Sequence, residues 1–344
     1  MPDGLYERLA SLPLAVEGYE LDRRERTVSS GFTRVTTVVV LRGGGHAGYG
    51  EDVTYTAEDH DGTPADLDLA GRHTLSSFSE LLEGLQLFPQ PPQMNASRNH
   101  RRWAFESAAL DLALRQAGLT LGAALDLSYH PVRFVVSTRL DIRPWLALYP
   151  HLEFKLDPTA DWDDELMAVI AGTGSVRVVD FKAFYTGTPV DNPVDPELYA
   201  RVVDAFPQAV VEDAALTPQT EAALGPALER LSYDALVHSW ADVVGLPRTP
   251  RFINVKPSRF GTVAGLFEFL ERAAAAGIAL YGGGQFELGP GRAQIQALAS
   301  LFYPNAPNDV APSGYNAPEP GAGLQVSPLP VPPRLLGFDF SDGA

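Results

Sequence analysis

Three ionisable side chains lie at or near the ends of three short apolar segments. Lys155 lies in LEFKL, Asp180 ends VRVVD, and Glu212 directly follows AVV. A lysine amine can transfer protons, and carboxylates are the ligands that a hard cation such as Mg²⁺ prefers. The three residues therefore indicate a chemical site rather than an ordinary core.

The elements that position these residues are predicted by the segments between them. Asp161 to Ile170 and Pro196 to Phe206 have the length and pattern of crossover helices. Strands joined by such helices pair in parallel. Because ligands meet the carboxyl ends of parallel strands, we expect Lys155, Asp180 and Glu212 to converge at one mouth of the sheet.

The same alternation continues along the chain and predicts a closed barrel. Counting from Val132, eight candidate strands alternate with helices or helical turns, the number that closes a (β/α) barrel. The later strands are placed at DALVHS, FINVKPS, IALYGG and residues 309–311. Nearer the start, the β-branched run Val35–Val40 and the glycines after it predict a hairpin, and Asn99–Ala117 has helical spacing.

Composition excludes several classes of partner and site. The formal net charge of −17 opposes binding to nucleic acid and to anionic membrane surfaces, and no apolar run is long enough to span a membrane. The absence of cysteine rules out disulfides and thiolate chemistry. No signal peptide is evident at the start of the sequence, so a cytoplasmic location is expected.

Four further stretches carry a resemblance to a known family. They are TRVTTVVVLRGGGHAGYGEDV, AFESAALDLALRQAGLTLGAAL, INVKPSRFGTVAGL and YGGGQFELGPGRAQIQALA. With Lys155, Asp180 and Glu212 in the same order, the chain resembles the enolase superfamily, in particular its branch of muconate cycloisomerases and o-succinylbenzoate synthases. These belong to the mandelate racemase/muconate lactonizing enzyme-like group.

The resemblance implies an α/β fold, a modified (β/α)₇β TIM-type barrel with an α+β capping domain. The implied boundaries are residues 1–130 for the capping domain, 131–316 for the barrel and 317–344 for a tail that returns to the capping domain. It also implies a reaction in which a base removes the proton α to a carboxylate. A Mg²⁺ ion stabilises the resulting enediolate in that family, because the α-proton is very weakly acidic.

The resemblance implies roles for individual residues. Lys155 and Lys256 would be the acid and base on opposite faces of the substrate, with Asp180 and Glu212 as ligands of Mg²⁺, Mn²⁺ or another divalent ion. Residues expected to contact the substrate are Ser137, Lys182, Arg259 and Glu287.

Three positions depart from the family pattern. Glu153 replaces the first lysine of a K-x-K pattern, Lys182 replaces an asparagine, and His238 stands where the third carboxylate is expected. Asp213, Asp234 and Asp242 are possible substitutes for that carboxylate, although they lie off phase or beyond the predicted strand. Either His238 is a ligand, which would favour a transition metal, or no ion binds and Lys182 supplies the positive charge.

These observations leave two functions open. The first is a lyase or isomerase that acts on a small carboxylate as a racemase, cycloisomerase or dehydratase. The second is a degenerate, metal-free member of the superfamily with a binding or structural role. The sequence does not name the substrate, and assembly into a homo-oligomer is left open.

Overall fold

The computed structural model describes residues 4–29, 31–188 and 190–341. The strands are β1 Pro13–Val16, β2 Gly18–Thr27, β3 Thr33–Gly43, β4 His46–Asp52, β5 Gly71–Thr74, β6 Val136–Thr138, β7 Phe154–Leu156, β8 Val176–Asp180, β9 Val210–Glu212, β10 Leu231–Tyr233, β11 Phe252–Val255 and β12 Ala279–Gly282. The α-helices are α1 Glu7–Ala10, α2 Ala57–Asp61, α3 Leu75–Glu83, α4 Ser97–Ala117, α5 Leu121–Leu125, α6 Arg143–Leu148, α7 Asp164–Gly172, α8 Pro196–Ala205, α9 Pro218–Leu224, α10 Trp240–Gly245, α11 Val263–Ala275 and α12 Gly291–Phe302.

The N-terminal region is built from antiparallel strands and one long helix. Strand β3 pairs with β2 on one side and β4 on the other, and the predicted hairpin turns at Gly44 and Gly45, both at positive φ. Helix α4 packs against β4 at very short range. A Cβ atom at Gly50 would lie 2.0 Å from the carbonyl oxygen of Ala104, so this contact requires glycine.

The second region is a parallel sheet in the strand order β12-β11-β10-β9-β8-β7-β6. Two isolated parallel bridges, Phe134 with Asn308 and Gly283 with Asp309, join the two edges of this sheet. Residues 308–309 therefore act as the eighth strand, close to the predicted last strand at residues 309–311. The structure thus has the expected α/β barrel with a separate antiparallel cap.

One predicted strand is misplaced in the sequence interpretation. The apolar segment DALVHS, residues 234–239, is not a strand, and β10 is formed by the three residues before it. A 3₁₀-helix, Gly225–Arg230, follows α9 and ends immediately before β10. This shift of register places Asp234, rather than His238, directly after the strand.

Both the cap and the C-terminal segment are tied to other parts of the chain. Glu51 at the end of β4 accepts hydrogen bonds from the backbone N–H groups of Leu288, Gly289 and Gly291, so a cap carboxylate covers the N-terminus of the barrel helix α12. The C-terminal segment returns to α4, where the N–H of Phe338 donates to Asp111 at 2.7 Å. Among the described helices, none is both long and apolar enough to cross a membrane.

Candidate active site

Three carboxylates meet at the carboxyl ends of successive strands. Asp180 ends β8 and is in register with Glu212, which ends β9, and Asp234 directly follows β10. Each of the three offers a ligand oxygen within 4.8 Å of the others, and all three side chains are buried. We call these residues the acid triad. Its third member, Asp234, is one of the three aspartates that the sequence left open as substitutes for the missing carboxylate.

All the lysines of the chain surround this triad. The sequence of 344 residues contains only Lys155, Lys182 and Lys256, and its other cationic residues are arginines and histidines. Lys155 lies in β7, Lys182 follows β8 by two residues, and Lys256 directly follows β11. The exclusive placement of lysine at this mouth is a signal that the motif comparison missed.

Lys155 lies between two members of the triad. Its Nζ is 3.0 Å from Asp180 and also contacts Glu212. Burial alone would lower the pKa of the Lys155 amine, but the charges of Asp180 and Glu212 outweigh burial and hold that pKa well above its usual range. Lys155 is therefore an ammonium group at neutral pH.

Asp234 pairs with two cations on its own side of the triad. Its carboxylate lies 2.7 Å from Arg259 and 2.9 Å from Lys256, and it accepts a hydrogen bond of 2.9 Å from the hydroxyl of Tyr185. Although burial opposes ionisation, Arg259 and Lys256 hold the pKa of Asp234 well below its usual range. Asp234 is thus ionised at neutral pH.

Glu212 has a different set of partners. The hydroxyl of Tyr281 donates to Glu212, and the amide nitrogen of Asn254 lies 3.3 Å from each of its carboxylate oxygens. Burial raises the pKa of Glu212 well above its usual range, and the negative charges of Asp180 and Asp234 add to this effect. The adjacent Lys155 ammonium counteracts part of it.

Lys182 contacts Asp180 through both its backbone and its side chain. The backbone N–H of Lys182 donates to Asp180 at 3.0 Å, and its amine contacts the other carboxylate oxygen. Asp157 lies 3.8 Å from the same amine and is held by Arg139 at 2.9 Å. Asp157 and Tyr185 belong to loops beyond the strand ends, and the sequence analysis identified neither.

The structure does not bring every predicted residue into this cluster. His238 lies four residues beyond Asp234 and is not in the acid triad, and its backbone N–H donates to Asp242 at 3.0 Å. Glu287 pairs with Arg292 at 3.0 Å. Ser137 is half-buried in β6, in register with Lys155.

Glu153, which replaces the first lysine of the K-x-K pattern, pairs with two arginines. Its carboxylate lies 2.6 Å from both Arg133 and Arg177, which lower its pKa against the effect of burial. Glu153 therefore has its own counter-charges, and the carboxylates paired with Lys155 are Asp180 and Glu212.

The donor set of the triad fits a hard divalent cation. Three buried carboxylates at this spacing can supply the oxygen ligands that Mg²⁺ or Mn²⁺ prefers. Each of the six carboxylate oxygens already contacts a donor from the chain itself, as described above for Asp180, Glu212 and Asp234. A bound ion would have to share or displace these donors.

Two family models together match most of the chain. The model described as the C-terminal domain of a domain of unknown function, DUF8230, matches residues 128–317. Its N-terminal counterpart matches residues 7–124. A search of curated protein sequences finds no match.

Solved structures show the same architecture at low sequence identity. The muconate lactonizing enzyme from Pseudomonas putida is 17% identical with a TM-score of 0.64, over 94% of this chain and 96% of that one. A dipeptide epimerase from Methylococcus capsulatus complexed with Mg ion is 18% identical with a TM-score of 0.63, over 89% and 88%. A member of the enolase superfamily from Listeria innocua Clip11262 is 19% identical with a TM-score of 0.62, over 87% and 86%. These similarities confirm the predicted enolase-superfamily fold.

Proposed function

This chain belongs to the DUF8230 family and has the fold of the enolase superfamily, and on that basis we propose that it is an enzyme that removes a proton α to a carboxylate. The observation that carries this proposal is the order of charges across five neighbouring strands. Lys155, Asp180, Glu212, Asp234 and Lys256 come from, or directly follow, β7 to β11 in turn. A lysine therefore stands on each side of the acid triad.

We assign the base to Lys256. Lys155 is held as an ammonium by two carboxylates, whereas Lys256 contacts Asp234, whose charge is shared with Arg259 and Tyr185. Lys256 would first release its ammonium proton to solvent, before the substrate binds. The lone pair of its neutral Nζ would then take the α-proton, and the electron pair of the broken C–H bond would move onto the substrate carboxylate to form an enediolate.

The Lys155 ammonium would stabilise this enediolate from the other side and can return a proton to the α-carbon. A divalent ion held by Asp180, Glu212 and Asp234 would supply additional positive charge to the substrate carboxylate. The burial of both lysines keeps water from competing for the proton. Return of the proton on the opposite face gives an epimer, and loss of a β-hydroxyl as water gives a dehydrated acid. Where the β-substituent is the internal carboxylate of a lactone, breaking its C–O bond opens the ring and gives the isomeric acid.

Solvent-deuterium exchange at the α-carbon tests this proposal. We would screen dipeptides, muconolactone-type acids and sugar acids by NMR in D₂O with Mg²⁺ or Mn²⁺ present. Lys256→Arg should abolish exchange while keeping the positive charge beside Asp234, because guanidinium does not deprotonate at neutral pH. Exchange that persists in Lys256→Arg would refute the assignment of the base. Absence of exchange with every acid, despite a bound metal, would favour the binding role.

A second measurement identifies the metal ligands. Isothermal titration calorimetry with Mn²⁺ should show binding that is lost in Asp234→Asn and retained in His238→Gln, because Asp234 and not His238 belongs to the acid triad. Circular dichroism would verify that both variants are folded. Loss of binding in His238→Gln alone would instead support the histidine as the third ligand.

A further inference from the structure

One short turn contacts two of the three carboxylates. This turn, residues 182–185, begins directly after Phe181 and is closed by a hydrogen bond of 3.2 Å from the N–H of Tyr185 to the carbonyl of Lys182. Its first residue, Lys182, contacts Asp180 through the side-chain amine. Its last residue, Tyr185, donates a hydrogen bond from its hydroxyl to Asp234. The turn therefore connects two carboxylates that belong to different strands.

The backbone of the turn is held in an uncommon conformation. Lys182 has a φ of 54°, in the left-handed region that non-glycine residues other than asparagine and aspartate seldom adopt. Its backbone N–H and its amine both bind Asp180, and Asp157 lies 3.8 Å from the same amine. A group that binds Asp180 more strongly than Lys182 does would therefore release Lys182 from this conformation.

A divalent ion at the acid triad would be such a partner. It would need oxygens of Asp180 and Asp234 that the Lys182 ammonium and the Tyr185 hydroxyl now contact. The Lys182 amine also lies 5.0 Å from the centroid of the Tyr185 ring, so the two side chains support one another. The positive charge of Lys182 would in addition repel the ion directly.

We propose that the 182–185 turn is an internal competitor for the cation, and that an ion binds the acid triad only when Lys182 and Tyr185 leave their carboxylates. This inference rests on the proposed function in taking the acid triad as the metal site. It goes further by assigning to Lys182 the control of metal affinity.

The test compares metal affinity in two substitutions of Lys182 without any substrate. Lys182→Asn removes the ammonium and keeps a residue that tolerates the left-handed conformation, whereas Lys182→Arg keeps the positive charge. By calorimetry with Mn²⁺, Lys182→Asn should bind at least about tenfold more tightly than the wild type, since tenfold corresponds to about 1.4 kcal/mol and neighbouring charges interact more strongly than that. Lys182→Arg should stay near the wild-type value.

Hydrogen-exchange mass spectrometry of the wild-type protein supplies a second readout. Saturating Mn²⁺ should accelerate exchange in a peptide covering residues 181–186, because the Lys182 N–H loses its acceptor, Asp180. The proposal is overturned if Lys182→Asn binds Mn²⁺ no more tightly than the wild type, if it folds but binds no Mn²⁺, or if exchange in this peptide is unchanged at saturation. Failure of the proposed function would appear separately, as absence of α-proton exchange in variants that do bind the ion.

Discussion

Replacement of Asp234 by asparagine in the metal-free protein should cause a large loss of stability. The substitution leaves Lys256 and Arg259, whose side chains are each 8% exposed, without their main counter-charge. Removing one partner of a buried ion pair typically costs about 3–5 kcal/mol, because the remaining charge stays desolvated. At roughly 2 °C per kcal/mol for a large domain, Tm should fall by about 5 °C or more.

Urea unfolding followed by tryptophan fluorescence, with EDTA present, measures this loss. Glu229→Gln is a suitable control, because it removes a surface ion pair of similar length in which Glu229 is 72% exposed, and such pairs contribute less than about 1 kcal/mol. The double variant Asp234→Asn/Arg259→Gln should lose less than the sum of the single losses, since it no longer buries an unpaired guanidinium. The reasoning is refuted if Asp234→Asn costs no more than Glu229→Gln, or if the two single losses are additive.

Two further predictions concern stability away from the acid triad. Burial lowers the pKa of His100 to about 3, so its imidazole is neutral in the folded protein. The stability that this residue contributes should be fully present above about pH 6.5 and fall towards lower pH by up to about 1.4 kcal/mol per pH unit. Urea unfolding at pH 7 and pH 5 measures this slope, which should be smaller in His100→Gln. Gly50→Ala should destabilise by roughly 2 kcal/mol or more in the same assay, because the added methyl would overlap the backbone of Ala104, and a variant as stable as the wild type would contradict the close packing of α4 on β4.

The barrel and two members of the acid triad could be predicted because each relevant strand is a short apolar run that ends in an ionisable residue. Asp180 and Glu212 follow this rule. Asp234 does not, because β10 contains only three residues, LSY. The segment after it, DALVHS, has more apolar residues and was therefore predicted as the strand. A strand of three residues is too short for side-chain periodicity to fix its register.

The remaining contacts of the site could not be predicted for a different reason. Tyr185 and Asp157 reach the acid triad and Lys182 from loops, and their positions depend on left-handed backbone at Lys182 and on a contact with Arg139. Local sequence patterns describe such tertiary contacts poorly. The sequence contains only three lysines, and the structure places all three beside the acid triad.

That restriction also means that any modified lysine of this protein reports on the acid triad. Apart from the α-amino group of the chain, every primary amine belongs to Lys155, Lys182 or Lys256. Because all three side chains are buried and Lys155 is held as an ammonium, an acylating reagent should react first at the α-amino group. Any lysine modification counted by mass spectrometry of the intact protein would then report access to the site. Protection of these amines by a candidate acid would identify a ligand before any reaction is known.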